Sequence, residues 1–348
     1  MLGNFRCAYT RGQAALEQQR TRGDELGVAL ALTVLGNAAL QRGNLEEARA
    51  LHLQAAERLR RTSSPTLIVN LGQLGLVAGE LGDTQLAHQT LGELEEIVQT
   101  RRDNYARLCV LYHKGLLAAT GGDRASAIDF LEQALALVRS AGNQQATVTT
   151  LTELGRVRLD QGQRPAALAD FAEAIRLAEA SGERIRMIRA LEGCARALAT
   201  TESINAVYLA GAMDEQRRAL DALPWPSERR NLDDWLGQVR RTLGPSTYRE
   251  AWEDGRASTL EQAVRRAEAL TVDAVANSSP GGVLSPRERQ VALLLARGLT
   301  NKQIATELTV AANTVRAHVE HILDKLDLHS RAQIAVWAIQ QGLLSSPS

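Results

Sequence analysis

The sequence contains few aromatic residues and few cysteines. Aromatic side chains make up 3% of its 348 residues, and Ala, Leu, Gln, Arg and Glu are abundant. Because the abundant residues favour helices and strand formers are scarce, the composition predicts an all-α protein and argues against a β-sandwich. Cys7, Cys109 and Cys194 lie far apart without metal-ligand spacing, which excludes a disulfide framework and suits a reducing compartment.

Long apolar runs and a net charge are also missing. The longest apolar stretches, such as Val291 to Ala296, are much shorter than the ~20 residues of a membrane helix, and no signal peptide is recognisable. Forty basic and forty acidic side chains cancel, so any surface that attracts an anionic polymer must be local. We expect a soluble, cytoplasmic chain without membrane contact, and its length predicts two or three domains.

The first 200 residues contain an internal repeat with a period of about 40 residues. Four copies begin and end with glycine: Gly36 to Gly43, Gly75 to Gly82, Gly115 to Gly122 and Gly155 to Gly162. The closing glycines are 39, 40 and 40 residues apart, and an alanine follows each by five residues: Ala48, Ala87, Ala127 and Ala167. This pattern predicts helical hairpins, because glycine ends a helix in a left-handed turn and alanine lets helices cross closely.

Other features of the repeats agree with helical hairpins. Polar residues after the glycines, such as Asp83 and Asp123, are expected to begin the second helix of each hairpin. Apolar residues at helical spacing, such as Leu45 and Leu59, would bury the hairpins against one another. Residues 1–200 resemble tetratricopeptide repeats, although the period is longer than usual. The resemblance implies a superhelical stack whose groove could bind a protein or small-molecule effector.

Both ends of the array depart from this pattern. Gly3 and Asn4 precede Ala8 at the offsets seen in the repeats, so the chain is expected to begin at the second helix of a repeat. A truncated gene product, an expressed fragment or a start-site error would each explain that beginning. Residues 201–275 have irregular periodicity and are predicted to form a helical cap or connector, and residues 276–283 are predicted to be a flexible linker.

Four short helices are predicted beyond the linker, in a domain at residues 284–345. Capping and breaking residues place them at residues 286–296, 301–308, 313–326 and 330–341. The short connection between the second and third helices is typical of a helix-turn-helix unit. In the third helix, Val315, Val319, Ile322 and Leu326 share one apolar face. Spacing alone also fits a small helical bundle with an ordinary solvated face.

Three blocks in this region occur in a characteristic order. They are Leu284-Ser-Pro-Arg-Glu-Arg289, Gly298-Leu-Thr-Asn-Lys-Gln-Ile-Ala305 and Asn313-Thr-Val-Arg-Ala-His-Val-Glu-His-Ile-Leu-Asp-Lys-Leu326, followed by His329-Ser-Arg-Ala-Gln333. Together they resemble the LuxR-type DNA-binding domain. The resemblance implies that residues 313–326 form the recognition helix, which enters the major groove of double-stranded DNA.

The resemblance also implies roles for individual residues. Base contacts are assigned to Arg316, Ala317 and Glu320, of which Glu320 departs from the lysine of some family members. Phosphate contacts are assigned to Lys302, Thr314, Lys325 and Arg331. Asn301 and Asn313 are interpreted as helix caps. Homodimerisation through the fourth helix is assigned to Ile334, Trp337 and Ala338, with a core position as the alternative for Trp337.

The sequence contains no recognisable motif of a catalytic or cofactor site. His318 and His321 are three residues apart on a helix, but no further metal ligand accompanies them, so neither a metal nor another cofactor is predicted. The sequence contains neither a phosphate-binding glycine loop nor a nucleophile motif, and we therefore expect no enzyme. Repeats followed by this connector and domain are similar to the C-terminal part of large ATP-binding regulators of the LuxR family.

These observations predict a sequence-specific transcriptional regulator whose repeat array senses an effector or binds a protein. The expected partners are double-stranded DNA, a second copy of the chain and RNA polymerase, in a nucleoid-associated cytoplasmic setting. Residues 283–348 hold seven Lys/Arg and five Asp/Glu, which gives the DNA-binding domain a small positive charge. The alternatives are an interaction adaptor built on the repeats and a C-terminal fragment of an ATP-dependent regulator.

Overall fold

The computed structural model describes residues 5–62, 64–101, 103–276, 284, 286–308, 312–326, 328–340 and 343, and every regular element in this part of the chain is an α-helix. The chain divides into two compact units, Met1–Glu268 and Ala269–Ser348. The first unit contains α1 (Phe5–Arg22), α2 (Glu25–Gln41), α3 (Leu45–Thr62), α4 (Thr66–Leu81), α5 (Thr84–Arg101), α6 (Asn104–Thr120), α7 (Arg124–Ser140), α8 (Gln144–Asp160), α9 (Arg164–Ser181), α10 (Arg184–Leu198), α11 (Ser203–Leu220), α12 (Pro226–Leu243) and α13 (Pro245–Arg256). Helix α14 (Leu260–Ala276) begins in the first unit, and the second unit contains α15 (Pro286–Ala296), α16 (Asn301–Glu307), α17 (Ala312–Leu326) and α18 (Arg331–Gln340).

The repeats form four helical hairpins, α2–α3, α4–α5, α6–α7 and α8–α9, as the sequence predicts. The glycine that closes each sequence copy has a positive φ of 73° to 86°, which other residues rarely adopt. Asp83 and Asp123 then accept hydrogen bonds from the backbone N–H groups of Leu86 and Ser126, at the start of α5 and α7. The all-α fold with stacked hairpins is therefore confirmed.

Each hairpin is packed around a glycine in its first helix. A side chain from the second helix lies directly over that glycine. A methyl group added to the glycine would be only 2.7 to 3.0 Å from this side chain. The pairs are Gly36 with His52, Gly75 with Thr90, Gly115 with Leu131, and Gly155 with Phe171. The small residue that opens each sequence repeat is thus the point of closest approach within the hairpin.

A segment between α11 and α12 crosses back to the first hairpins of the same unit. We call residues 221–228 the clasp. The indole Nε1 of Trp225 donates to the backbone oxygen of Leu40 at 3.1 Å. The backbone N–H of Leu223 donates to the backbone oxygen of Gln41 at 3.2 Å. The clasp therefore joins parts of the chain that are more than 180 residues apart in sequence.

Ion pairs and a cation–π contact add to the clasp. Asp221 pairs with Arg42 at 3.0 Å, and the guanidinium carbon of Arg189 lies 3.6 Å from the centre of the Trp225 ring. Glu80 on α4 accepts hydrogen bonds from both the N–H and the hydroxyl of Ser227. These contacts fix α2, α4 and α10 to the same short segment.

The second unit has its own hydrophobic core. Residues from all four of its helices contribute: Leu284, Val291, Ala292, Leu294, Leu295, Ile304, Ala305, Val315, Ile322, Ile334 and Ala338. Helix α15 has the predicted bounds, whereas α16 ends one residue earlier and α17 begins one residue earlier than predicted. The predicted linker at residues 276–283 lies outside the described residues except for Ala276. Among the helices that the structure describes, none is long and apolar enough to cross a membrane.

Candidate nucleic-acid interface

Helices α16 and α17 form the helix-turn-helix unit of the second domain. Thr300, and not Asn301, caps α16: its hydroxyl accepts from the N–H of Gln303, whose side-chain oxygen accepts from the N–H of Thr300. The prediction of an Asn301 cap was therefore wrong by one residue, because the capping box fixes the helix start at Thr300. Asn313 lies inside the first turn of α17 and not before it.

Helix α17 has one buried face and one exposed face. Val315 and Ile322 are fully buried in the core, and Val319 and Leu326 pack against it. This is the apolar face that the sequence predicts at helical spacing. The opposite face projects away from the domain, as a helix that enters a DNA groove must do.

Two predicted base-contacting residues lie on that exposed face. The side chains of Arg316 and Glu320 are 75% and 60% exposed, and their Nε and Oε1 atoms are 3.1 Å apart in an ion pair one helical turn long. Exposed pairs of this kind contribute little to stability, so little free energy is needed to open the pair. Ala317 belongs to the same helix, but its side chain lies outside the described part of the structure.

The residues predicted to contact phosphate differ in their exposure and in their partners. Lys302 is exposed on α16. The Lys325 ammonium is 2.7 Å from the carboxylate of Glu288, a side chain that is only 4% exposed. Arg331 donates to the backbone oxygen of Leu299 at 2.8 Å. The Thr314 side chain lies outside the described residues.

Glu288 and Arg287 have structural roles that the sequence interpretation missed. Glu288 joins α15 to α17 through Lys325, and Arg287 donates to the backbone oxygen of Leu308 at 2.5 Å, which joins α15 to the end of α16. Both residues lie in the first of the three sequence blocks that resemble the LuxR-type domain, Leu284 to Arg289. The sequence signal available for these structural roles was the occurrence of charged residues next to a predicted apolar face.

The residues predicted to form a dimer surface are mostly inside the domain. Ile334 and Ala338 are fully buried in its core, and Trp337 packs against the same core, because this face of α18 lies against α15. The assignment of Ile334 and Ala338 to a dimerisation surface therefore needs correction, and Trp337 lies where its alternative core role places it. Val336 and Ile339, at 54% and 53% exposure, are the large apolar side chains that α18 leaves uncovered.

Comparison with known proteins agrees with this geometry. The second unit has the architecture of a helix-turn-helix DNA-binding domain. Residues 282–338 match the family described as bacterial regulatory proteins, luxR family, and residues 27–100 and 106–180 match the tetratricopeptide repeat family. The chain thus combines tetratricopeptide repeats with a LuxR-type domain, as the resemblances indicated.

Individual relatives match parts of the chain. A Mycobacterium tuberculosis protein named as a candidate HTH-type transcriptional regulator is 30% identical over 148 residues, which are 42% of this chain and 16% of that relative. The nitrate/nitrite response regulator NarL of Escherichia coli is 48% identical over 60 residues, or 17% of this chain and 28% of the relative. The oxygen regulatory protein NreC of Staphylococcus haemolyticus is 42% identical over 72 residues, or 21% and 33%. The matches span a third or less of these relatives.

One solved structure aligns with most of the chain. It is the crystal structure of a signal transduction ATPase with numerous domains and a tetratricopeptide repeat sensor from Pyrococcus horikoshii. The alignment covers 93% of this chain and 44% of the other, at 15% sequence identity and a TM-score of 0.40.

Proposed function

We propose that this chain is a cytoplasmic DNA-binding transcriptional regulator in which α17 reads the major groove and the repeat unit receives a regulatory signal. The exposed Arg316 on the outer face of α17 carries the proposal, since an arginine there can make a bidentate contact to guanine. Glu320 releases Arg316 on binding and accepts from a cytosine amino group. Lys302, Thr314, Lys325 and Arg331 set the register on the phosphates, and Ala317 lies against base edges.

Selection of genomic fragments by the full chain tests this proposal. We expect enrichment of a defined sequence, and we expect Arg316→Ala to weaken binding to that sequence by about 1–3 kcal/mol and to relax the choice of one base pair. Arg107→Ala removes an exposed charge from the repeat unit and is the matched control. Sequence-independent binding that Arg316→Ala does not change would contradict the proposal and favour an interaction adaptor.

We further propose that the regulator binds DNA as a homodimer through the uncovered face of α18. Val336 and Ile339 support this assignment, because a monomer gains nothing from leaving two large apolar side chains exposed side by side. Two DNA-binding units on adjacent half-sites would also compensate for the few cationic contacts of each.

Val336→Glu is expected to prevent dimer formation on DNA with two half-sites and to leave binding to a single half-site intact. Gln340→Glu, which adds the same charge at an exposed end of α18, is the control. Sedimentation of the protein–DNA complex measures the stoichiometry. A two-to-one complex that persists in Val336→Glu would exclude this face as the interface.

A further inference from the structure

The interior of the repeat unit contains a cavity of about 470 Å³. Its walls come from the first helix of each hairpin, with Asn37 on α2, Gln73 on α4, Tyr112 on α6 and Thr152 on α8 among the lining residues. Residues of α1 and α10 close its other sides. This volume lies within the usual range for small-molecule sites, and the contribution of many helices is typical of a formed site.

The clasp forms part of the wall of this cavity. Trp225 and Leu220 line it next to Arg189, whose guanidinium stacks on the Trp225 ring. Val34, which also lines the cavity, is half exposed, so the cavity is open to solvent there. A small molecule could therefore enter without unfolding of the unit.

Four of the five charged side chains that line the cavity are in ion pairs, and the fifth, the exposed Arg184, donates to the side-chain oxygen of Gln216 at 2.7 Å. Arg189 is 3.0 Å from Glu228, and Arg156 is 3.3 Å from Glu153, which lines the cavity. Arg186 pairs with Glu183 at a further part of the wall. Because these four charges already have partners of opposite sign, an ionic ligand that contacts them would have to break an ion pair.

The neutral side chain of Asn37 remains available to a ligand. The side-chain oxygen Oδ1 of Asn37 is buried and has no hydrogen-bond partner among the described residues. An acceptor in that condition costs free energy unless a ligand or water donates to it. Gln73 and Tyr112 also line the cavity, as do the apolar Val34 and Leu76.

We propose that this cavity binds an uncharged small molecule that carries hydrogen-bond donors, such as hydroxyl or amide groups, together with an apolar portion. The donors pair with Asn37 and the neighbouring neutral polar groups, and the apolar portion lies against Val34 and Leu76. The identification of this molecule as the regulatory effector rests on the function proposed above, but its binding does not.

The probe is a set of uncharged polyols and amides with apolar substituents, each compared with its carboxylate and amine analogues. Binding to the full chain is measured by ligand-observed NMR and isothermal titration. We expect uncharged members to bind and their charged analogues to bind at least tenfold more weakly. Absence of binding by every uncharged member, or equal binding of charged analogues, would overturn the proposal.

Two variants locate the site. Val34→Trp, at a half-exposed position, fills the cavity and is expected to abolish binding, whereas Leu53→Trp adds the same bulk at an exposed position of α3 and should not. Asn37→Leu is expected to weaken binding about tenfold, and Asn104→Leu at the exposed start of α6 is its control. Full binding in Val34→Trp would place the ligand elsewhere and overturn the assignment.

A parallel DNA-binding measurement separates this inference from the proposed function. Binding of the probe by a chain that does not select DNA would leave the cavity assignment intact and reject the regulator. Selective DNA binding by a chain that binds no probe would support the regulator and reject the cavity assignment.

Discussion

At the residue scale, the repeat unit is organised by contacts between a glycine and one larger side chain. The partner changes from His52 to Thr90, Leu131 and Phe171 along the array, but the glycine does not. The sequence reveals the glycines through their period. It does not reveal their partners, since the side chain that lies over each glycine depends on the angle at which the two helices cross. Where the partner is the small Thr90, His113 of α6 also lies against the glycine.

Alanine substitution at two helical glycines should therefore have opposite effects. A methyl group at Gly155 would lie 2.7 Å from the Phe171 ring, so Gly155→Ala is expected to destabilise the protein by about 1–3 kcal/mol. Nothing lies within 4 Å of the corresponding position at Gly92, in the middle of α5. Gly92→Ala should stabilise it by about 0.5–1 kcal/mol through helix propensity. Urea unfolding monitored by circular dichroism gives both values, and equal effects would contradict this packing.

At the scale of the element, the helix-turn-helix unit was largely predictable and its supporting contacts were not. Periodicity gave the apolar face of α17, and the spacing of the breakers gave the order of the helices. The ion pair between the buried Glu288 and the exposed Lys325 joins residues 37 positions apart, and no local pattern indicates which charges will meet. Ile334 and Ala338 were assigned to an interface because spacing shows which residues share a face but not what covers that face.

Two lysines of this unit should consequently behave differently. Lys325→Ala is expected to lower the stability of the second unit by about 1–3 kcal/mol, because it removes a partner of the buried Glu288 carboxylate. Lys302→Ala, at an exposed position, should leave stability unchanged and weaken binding to all DNA sequences alike. Thermal unfolding and binding at several salt concentrations distinguish the two. An unchanged stability of Lys325→Ala would contradict the structural role of its pair with Glu288.

At the scale of the whole molecule, two units follow one another along the chain, and the first contains a contact that its sequence did not predict. Pro224-Trp225-Pro226 indicated only a break between helices. In the structure this break carries Trp225 to α2 and Glu228 to Arg189 and Arg217. Contacts across more than 180 residues are set by the curvature of the entire array, which period and composition do not specify.

The stability of the first unit should depend on pH. Burial raises the pKa of Glu228, but the charges of Arg189 and Arg217 outweigh burial and lower the pKa to about 2 from its usual 4.5. The stabilisation is therefore complete above pH 4.5 and is lost as the pH falls through 2. Glu228→Gln is expected to be less stable at pH 7 and to lose less stability over this pH range. Denaturant unfolding at each pH, with exposed Glu17→Gln as control, measures both effects.

The clasp also has a consequence for how the repeat unit unfolds. An array in which each hairpin touches only its neighbours can fray from either end, one hairpin at a time. Here the first hairpins are held by a segment that follows the last ones, so fraying at one end breaks contacts at the other. Amide hydrogens of α2 and α10 should then exchange with the same opening free energy, as members of one cooperative unit, and a slow non-local closure should limit the rate of folding.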